Sequence, residues 1–243
     1  MTKSTTKNII LAGAVIIVIL IAAKFLFFSD STKNEETITS TGTSEITTTP
    51  DLAEIYARIE VLEQTAQEAE EKSKEISDAV LEAAKSFSDA KVETTSYNIY
   101  KREDWSEEGP IFKGYTAMYS LKISTKNLDD TGEITDAVVQ AGANNIDNIQ
   151  FTLSYEKEQE VKKEALKKAG EQAKERAEAI AEGLGFEIGK IVSVSESNIY
   201  YPPYMFDKVV AEVAAGGSAS DLTFEPADIK VSATINVVYS IED

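Results

Sequence analysis

The side chains available for chemistry in this chain are limited to hydroxyls, amines and carboxylates. The sequence has no histidine and no cysteine, which removes the commonest general base, the imidazole and thiolate metal ligands, and disulfide bonds. A serine nucleophile with a lysine base needs a defined pair, and no spacing in the chain singles one out. We therefore predict no catalytic residues, no cofactor and no metal site.

Two segments have the composition of ligand-binding loops but not their spacing or position. Gly183, Gly185 and Gly189 follow a predicted helix, whereas a phosphate-binding loop places its glycines before a helix. Asp129–Glu133 lacks the spacing of a calcium loop and is typical of acids at a helix N-terminus. We interpret the first segment as a helix cap and turn, and the second as a helix start, with calcium as its alternative.

Aromatic side chains supply the best candidates for a binding surface. One cluster lies in a long segment between the last two predicted strands, and a tryptophan lies in a predicted polar loop from Lys101 to Pro110. Long loops are often functional, and clustered aromatics are common at interfaces. The cluster is open to three interpretations: a partner or self-association surface, local packing, or a lid over a small ligand. The candidate partner-binding residues are Trp105, Tyr200, Tyr201, Tyr204, Met205 and Phe206.

The charge of the chain excludes one class of partner. The net charge is −18, and because residues 1–28 hold three lysines and no acid, residues 29–243 carry −21. Such a surface repels nucleic acids, so we predict no DNA or RNA partner. We interpret the acidity as favouring solubility, with a cation-binding surface as the alternative.

An apolar segment near the N-terminus predicts a transmembrane helix. Residues 9–28 hold one charge, Lys24, near one end, and a helix of this length spans about 30 Å, the thickness of a hydrocarbon core. Lys3 and Lys7 precede the segment, so we predict that residues 1–8 are cytoplasmic and that the rest of this single-pass cell-membrane protein lies outside the cytoplasm. A cleaved signal peptide is the alternative, although no small-residue cleavage site follows Ala23.

Serine and threonine dominate the next segment, residues 29–50, in which Ile38 and Ile46 are the apolar residues. A segment of this composition buries little apolar surface and predicts an extended, solvated stalk. We therefore place the folded domain at residues 51–243.

The remaining sequence alternates strand and helix patterns. Ala53–Val61 and Tyr115–Ile123 have the two-residue period of half-buried strands. Thr65 and Glu68 form a capping box that begins a helix, and alanines between about Glu156 and Glu182 predict a long, closely packed helix. The predicted order is β-α-β-β-α-β-α-β-β, an α+β domain with a mixed sheet covered by helices, whose first six elements are ferredoxin-like.

Short motifs follow one another in a fixed order along this predicted domain. They are Pro50-Asp51-x-Ala53, Gly114-Tyr115-x-Ala117, Ala141-Gly142-Ala143, Glu164-Ala165-Leu166, Ala169, Ala173, Ala177-Glu178, Ala181, Leu184-Gly185, Gly189, Glu196, Pro226 and Val238-Tyr239. In order and spacing they resemble the SIMPL-domain family, a domain of unknown function in bacterial and archaeal envelope proteins. The resemblance covers about residues 50–241.

The resemblance implies an envelope location and allows self-association, and it brings no catalytic residues. Family members usually have a glycine-containing strand before the Pro-Asp motif. Here the Ser/Thr-rich segment takes that place, so we expect the first edge strand to be missing or supplied by a neighbouring chain. The predicted function is a non-enzymatic, membrane-anchored envelope protein whose extracytoplasmic domain self-associates or binds a protein partner. A ligand- or cation-sensing module is the first alternative, and a hydrolase is the second.

Overall fold

The structure, a computed structural model, describes residues 36–196, 199, 201–205 and 224–242. The predicted cytoplasmic segment 1–8 and transmembrane helix 9–28 lie outside the described residues. Within the described ranges, no helix combines the length and apolarity needed to cross a bilayer. The elements are β1 Thr37–Thr48, β2 Leu52–Glu63, α1 Ala66–Lys85, β3 Lys91–Ser106, β4 Gly109–Thr125, a 3₁₀ turn Leu128–Asp130, α2 Thr131–Gln140, β5 Asn145–Thr152, α3 Tyr155–Leu184, β6 Glu187–Glu196, β7 Tyr204–Met205 and β8 Ile229–Glu242.

The strands form two sheets, with orders β3-β4-β2-β5-β7 and β1-β8-β6. In the larger sheet, β4 lies between β2 and β3, which α1 connects, and β2 lies between β4 and β5, which α2 connects. This is the double-split arrangement that a ferredoxin-like order of elements predicts. The predicted mixed sheet is wrong, because every pairing among the described strands is antiparallel.

The main core lies between the five-stranded sheet and helices α1 and α2. Alternation along β2 directs Ile55 and Ile59 into this core, where both are fully buried against residues such as Val80 of α1. The predicted capping box is confirmed: the Thr65 hydroxyl accepts the Glu68 amide hydrogen, and the Glu68 carboxylate accepts the Thr65 amide hydrogen. The opposite face of the sheet, which we call the polar face, carries the charged and polar residues of β2.

A second core lies between the three-stranded sheet and α3. The predicted alanine stripe faces this sheet, and Ala165, Ala169, Ala173 and Ala177 are fully buried. Val231 and the other inward residues of β8 pack against the helix.

The solvated stalk predicted at residues 29–50 is wrong over its described part, because Thr37–Thr48 form strand β1, paired along its length with β8. The residues of β1 that are buried against α3 are small ones, Ser40 and Gly42, together with Ile46. Ser44 Oγ donates a hydrogen bond to the Ala165 carbonyl oxygen at 2.7 Å. The glycine-containing first strand is therefore part of this chain, and the folded domain begins before residue 51.

The predicted loop from Lys101 to Pro110 is also wrong. β3 continues to Ser106 and β4 begins at Gly109, so the two strands are joined by a tight turn. Gly109 has a φ of 116°, a conformation that glycine adopts without steric cost. The segment is polar because both of its faces are exposed, and not because it is irregular.

Candidate functional site

Trp105, one of the predicted partner-binding residues, lies near the end of a projecting hairpin. β3 and β4 pair as far as Ser106↔Gly109, whereas the pairing of β2 with β4 ends at Tyr115. Residues 101–114 therefore extend beyond the rest of the sheet as a two-stranded ribbon, which we call the arm. Trp105 is 85% exposed on it.

Aromatic and charged contacts order the base of the arm. The ring of Phe112 makes an edge-to-face contact with Tyr115, with centroids 5.6 Å apart. Lys101 Nζ lies 5.6 Å from the centroid of the Phe112 ring, within the range of a cation–π contact. Even so, Ile111 and Phe112 remain 48% and 43% exposed. The arm thus presents apolar side chains that the described part of this chain does not cover.

A second exposed apolar surface lies on β6, at the edge of the smaller sheet. Ile191, Val192 and Val194, which we call the β6 patch, are 58%, 46% and 59% exposed. Ile191 and Val194 pair with Tyr239 and Val237 of β8, so they point toward the side on which α3 lies. Helix α3 packs mainly over β1 and β8, which leaves the β6 patch open.

Tyr201, a second predicted partner-binding residue, packs on the first turns of α3. Its hydroxyl is hydrogen-bonded to Glu158, and Lys162 Nζ lies 5.4 Å from its ring centroid. Glu158 also accepts a hydrogen bond from Lys162. Burial, followed by the bond to Glu158, raises the pKa of Tyr201 to about 12. The bond from Lys162 is the main reason that the pKa of Glu158 is lowered.

The other predicted residues of this segment are only partly described. Tyr204 and Met205 form β7 and pair with Phe151 and Gln150 of β5. Tyr200 and Phe206 lie outside the described residues. β7 and β3 are at opposite edges of the five-stranded sheet, so the structure does not bring Trp105 and β7 together into one site. Local packing accounts for Tyr201, while partner binding by the segment stays a prediction.

The polar face holds a network centred on Glu54. Its carboxylate accepts hydrogen bonds from Gln150 Nε2 at 2.6 Å, Tyr56 Oη at 3.1 Å and Lys122 Nζ at 3.2 Å. Lys122 also forms an ion pair with Glu93 at 3.1 Å, which is the largest cause of its raised pKa. Burial, followed by the charge of Glu54, raises the pKa of Tyr56. These contacts fix side chains in place, and they do not pair a nucleophile with a base.

No metal centre is found in the part of the chain that the structure describes, where no three carboxylate side chains meet in a way that could hold an ion. The acids of the predicted calcium alternative, Asp129–Glu133, lie in the 3₁₀ turn and at the start of α2. Gly185 has a φ of 79° and ends α3, as expected of a left-handed helix cap.

The described residues therefore form an α+β domain of two antiparallel sheets, with exposed apolar side chains on the arm and on β6. Residues 38–239 match the SIMPL family, described as a protein of unknown function (DUF541); the chain belongs to this family. It is similar to the uncharacterized protein YggE of Escherichia coli K12, with 26% identity over 207 residues, covering 84% of this chain and 83% of YggE. The YggE proteins of E. coli O157:H7 and Shigella flexneri match equally well.

The sequence identified Trp105 but not the rest of the arm or the β6 patch. One signal was available for the arm: the alternation of Tyr97 and Ile99 continues through the polar residues to Trp105. For the β6 patch, Ile191, Val192 and Val194 predicted a strand, but only the packing of α3 shows that they are uncovered.

Proposed function

We propose that this protein is a non-catalytic, membrane-tethered envelope protein that associates with a second copy of itself through the outer edge of β3 in the arm. The single observation that carries the proposal is the arm itself, a two-stranded ribbon with Trp105 85% exposed. An isolated two-stranded hairpin is marginally stable in water. A partner that covers the arm therefore stabilises it.

The edge of β3 is available for pairing. β3 is the first strand of the five-stranded sheet, and no described strand lies on its outer side. An exposed strand edge is a template for pairing with another chain. The most common closed assembly of identical chains is a two-fold dimer, in which the same surface of each copy makes the contact.

The sequence along this edge is complementary to itself. It reads Ile99-Tyr100-Lys101-Arg102-Glu103-Asp104-Trp105. Directly opposed residues of two antiparallel strands lie on the same face, so a two-fold axis of the dimer passes through one residue of each strand. With the axis at Arg102, which forms an ion pair with Glu60 of its own chain at 3.4 Å, Lys101 lies opposite Glu103 of the other copy and Ile99 lies opposite Trp105. Pairs of opposite charges and pairs of an aromatic with a β-branched residue across strands each contribute about 0.2–1 kcal/mol.

The charge distribution favours the same surface. The arm holds three basic and four acidic residues, a net charge of −1, in a chain whose net charge is −18. Two copies of so acidic a chain repel each other over most of their surfaces. Because the arm is nearly neutral, two copies that meet there face less of this electrostatic repulsion than elsewhere on the surface.

Membrane tethering rests on the sequence of residues 9–28, which has the length and apolarity of a bilayer-spanning helix. The location of the domain outside the cytoplasm follows from the lysines that precede this segment. Because the chain has no cysteine, one introduced cysteine is a unique reporter. Tyr155→Cys, at a side chain that is 72% exposed, is expected to react with a membrane-impermeant maleimide on intact cells. Labelling only after lysis would contradict the proposed orientation.

The dimer is tested by a charge swap on residues 36–243, measured by size-exclusion chromatography with light scattering at tens of micromolar. Lys101→Glu and Glu103→Lys each place like charges opposite one another, and each is expected to weaken the dimer about tenfold, equivalent to ~1.4 kcal/mol. The double variant Lys101→Glu/Glu103→Lys restores opposite charges across the axis and is expected to recover the dimer.

The matched control is Lys167→Glu, which reverses an exposed charge on α3 away from the arm and is expected to leave the mass unchanged. This pairing would be overturned if the wild-type protein remained monomeric, or if the double variant dimerised no more tightly than the single variants.

A further inference from the structure

The polar face of the five-stranded sheet contains a groove that runs across its strands. Four neighbouring strands, β3, β4, β2 and β5, each contribute two consecutive residues to a cavity of about 370 Å³. This volume is in the range of small-molecule sites, about 300–1,000 Å³. The polar side chains that line it belong to Tyr56, Thr95, Ser96, Ser120, Asp147 and Asn148.

Two β-bulges open this groove. The register of β3 with β4 shifts between Thr94 and Ser96, which leaves Thr95 as an extra residue. The register of β2 with β5 shifts at Tyr56, which leaves Asp147 as an extra residue on β5. Bulges redirect side chains and are frequent near functional sites. Here the two bulges lie on either side of the same groove, and both extra residues line it.

Small and large side chains shape the floor and one wall. Ser96 and Ser120 are directly paired across β3 and β4, and their short side chains form the floor. In the next row, Lys122 lies opposite both Glu93 and Tyr56, and the ion pairs of Lys122 with Glu54 and Glu93 hold this row in place. Of the side chains that line the groove, Tyr56 is held by its hydrogen bond to Glu54 and Asp147 by its hydrogen bond from Arg58.

The chemistry of the lining is neutral and rich in hydroxyls. Hydroxyl and carboxamide groups both donate and accept hydrogen bonds. Within the described residues, the side chains of Thr95, Ser96, Ser120 and Asn148 make no hydrogen bond to the protein, so their capacity is available. The one carboxylate, Asp147, is neutralised by Arg58 at 2.7 Å.

These properties select among ligand classes. Both bases beside the groove already have carboxylate partners, Arg58 Nη2 with Asp147 and Lys122 with Glu54 and Glu93, so neither offers an uncompensated positive charge to an anion. A metal ion needs more than one free carboxylate. A peptide strand that adds to a sheet pairs along a free edge, whereas this groove runs across four strands on the face of the sheet. A sugar ring presents alternating hydroxyls and apolar C–H faces, which suit this mixture of hydroxyls, a carboxamide and a tyrosine ring.

We propose that this groove binds a short neutral saccharide. Hydrogen bonds from its hydroxyls go to Ser96, Ser120 and Asn148, and the ring of Tyr56 forms the apolar wall. The site is independent of the β3 edge that pairs two copies, because its lining residues precede Tyr97 on β3 and follow Tyr119 on β4. It gives this non-catalytic domain a ligand.

The test titrates full-length protein in detergent with short neutral oligosaccharides, one glucose series and one N-acetylglucosamine series, and measures heats of binding by calorimetry. Binding by one series in the micromolar-to-millimolar range is expected. Ser120→Tyr fills the floor of the groove and is expected to weaken binding at least about tenfold. Ser232→Tyr, an exposed serine of the smaller sheet, is the matched control and is expected to leave affinity unchanged.

Ser96→Tyr, on the edge strand β3, is the second filling variant, and it replaces Ser120→Tyr if circular dichroism shows that Ser120→Tyr does not fold. The proposal is overturned if neither series binds at millimolar concentration, if both filling variants bind as the wild type does, or if inorganic phosphate or calcium competes for the site.

Discussion

Gly42 of β1 lies directly against the backbone of α3 at Ala173. A Cβ atom on Gly42 would be 2.5 Å from the Ala173 nitrogen and closer still to the Ala169 carbonyl oxygen. Real Cβ atoms do not approach backbone atoms so closely. The contact explains both the glycine in an otherwise Ser/Thr-rich strand and the alanines that recur along the helix, since a larger side chain on either side would separate the two elements.

Substitution of Gly42 is expected to separate β1 from α3. Gly42→Ala has no space for its methyl group, and overpacking of this kind costs about 1–3 kcal/mol. The measurement is the free energy of unfolding by urea, followed by circular dichroism. Gly170→Ala is the matched control, because it lies in the same helix with open space around it, and it is expected to stabilise by about 0.5–1 kcal/mol. Equal effects of the two substitutions would contradict this packing.

Asp51 links the start of β2 to the start of α3. Its carboxylate accepts hydrogen bonds from the amide and the hydroxyl of Ser154, both at 2.7 Å, while Ser154 Oγ caps α3 by accepting from the Lys157 amide. Because hydrogen bonds to charged groups are worth about 1.5–3 kcal/mol, Asp51→Ala is expected to lower the free energy of unfolding by about that amount.

The control for Asp51 is Asp129→Ala, an exposed acid of the 3₁₀ turn that makes no capping hydrogen bond. Its effect is expected to stay within about 0.5 kcal/mol. If Asp51→Ala behaves like this control in the same urea titration, the carboxylate does not hold the junction.

The Tyr201–Glu158 hydrogen bond makes the free energy of unfolding depend on pH in the alkaline range. The pKa of Tyr201 is raised from 10.0 to about 12 in the folded protein, so the neutral hydroxyl is favoured by folding. The contribution of the neutral Tyr201 hydroxyl to the free energy of unfolding is fully present below pH 10 and is lost as pH rises toward 12. Tyr201→Phe is expected to cost about 1 kcal/mol near neutral pH, and the difference from wild type is expected to shrink in that alkaline window.

The comparison uses urea unfolding at a neutral and at an alkaline pH. Tyr155→Phe is the control, because Tyr155 is 72% exposed, and it is expected to have no effect at either pH. A difference between wild type and Tyr201→Phe that stays constant from neutral to alkaline pH would show that the hydroxyl does not titrate as described.

The β6 patch distinguishes two ways of assembling copies. If the dimer forms through the edge of β3, then Val194→Lys, at a side chain that is 59% exposed, is expected to leave both the melting temperature and the mass in light scattering unchanged. Loss of the dimer in Val194→Lys would place the contact on the smaller sheet instead.

The sequence by itself determined the elements whose side chains differ strongly between two faces. Ile55 and Ile59 alternate with charged residues, and the alanines of α3 recur at a helical spacing. The inward faces of these two elements can therefore be predicted from their own sequence, without knowing which elements pack against them. Thr65 and Glu68 determine a helix start through bonds four residues or fewer apart. The order of these elements was also sufficient to predict the double-split arrangement of the larger sheet.

Tertiary structure decided what depends on a distant partner. β1 has only a weak apolar pattern in sequence, because Ser40 and Gly42 lie between Ile38 and Ile46 on its inward face. It is a strand because β8 pairs with it and α3 lies close against it. The groove depends on two bulges that bring Thr95 and Asp147 to the same level of the sheet, and register is a property of paired strands. Trp105 is exposed because β2 ends before it could cover the arm. The end of β2 is set by residues outside the arm, so the sequence of the arm does not predict this exposure.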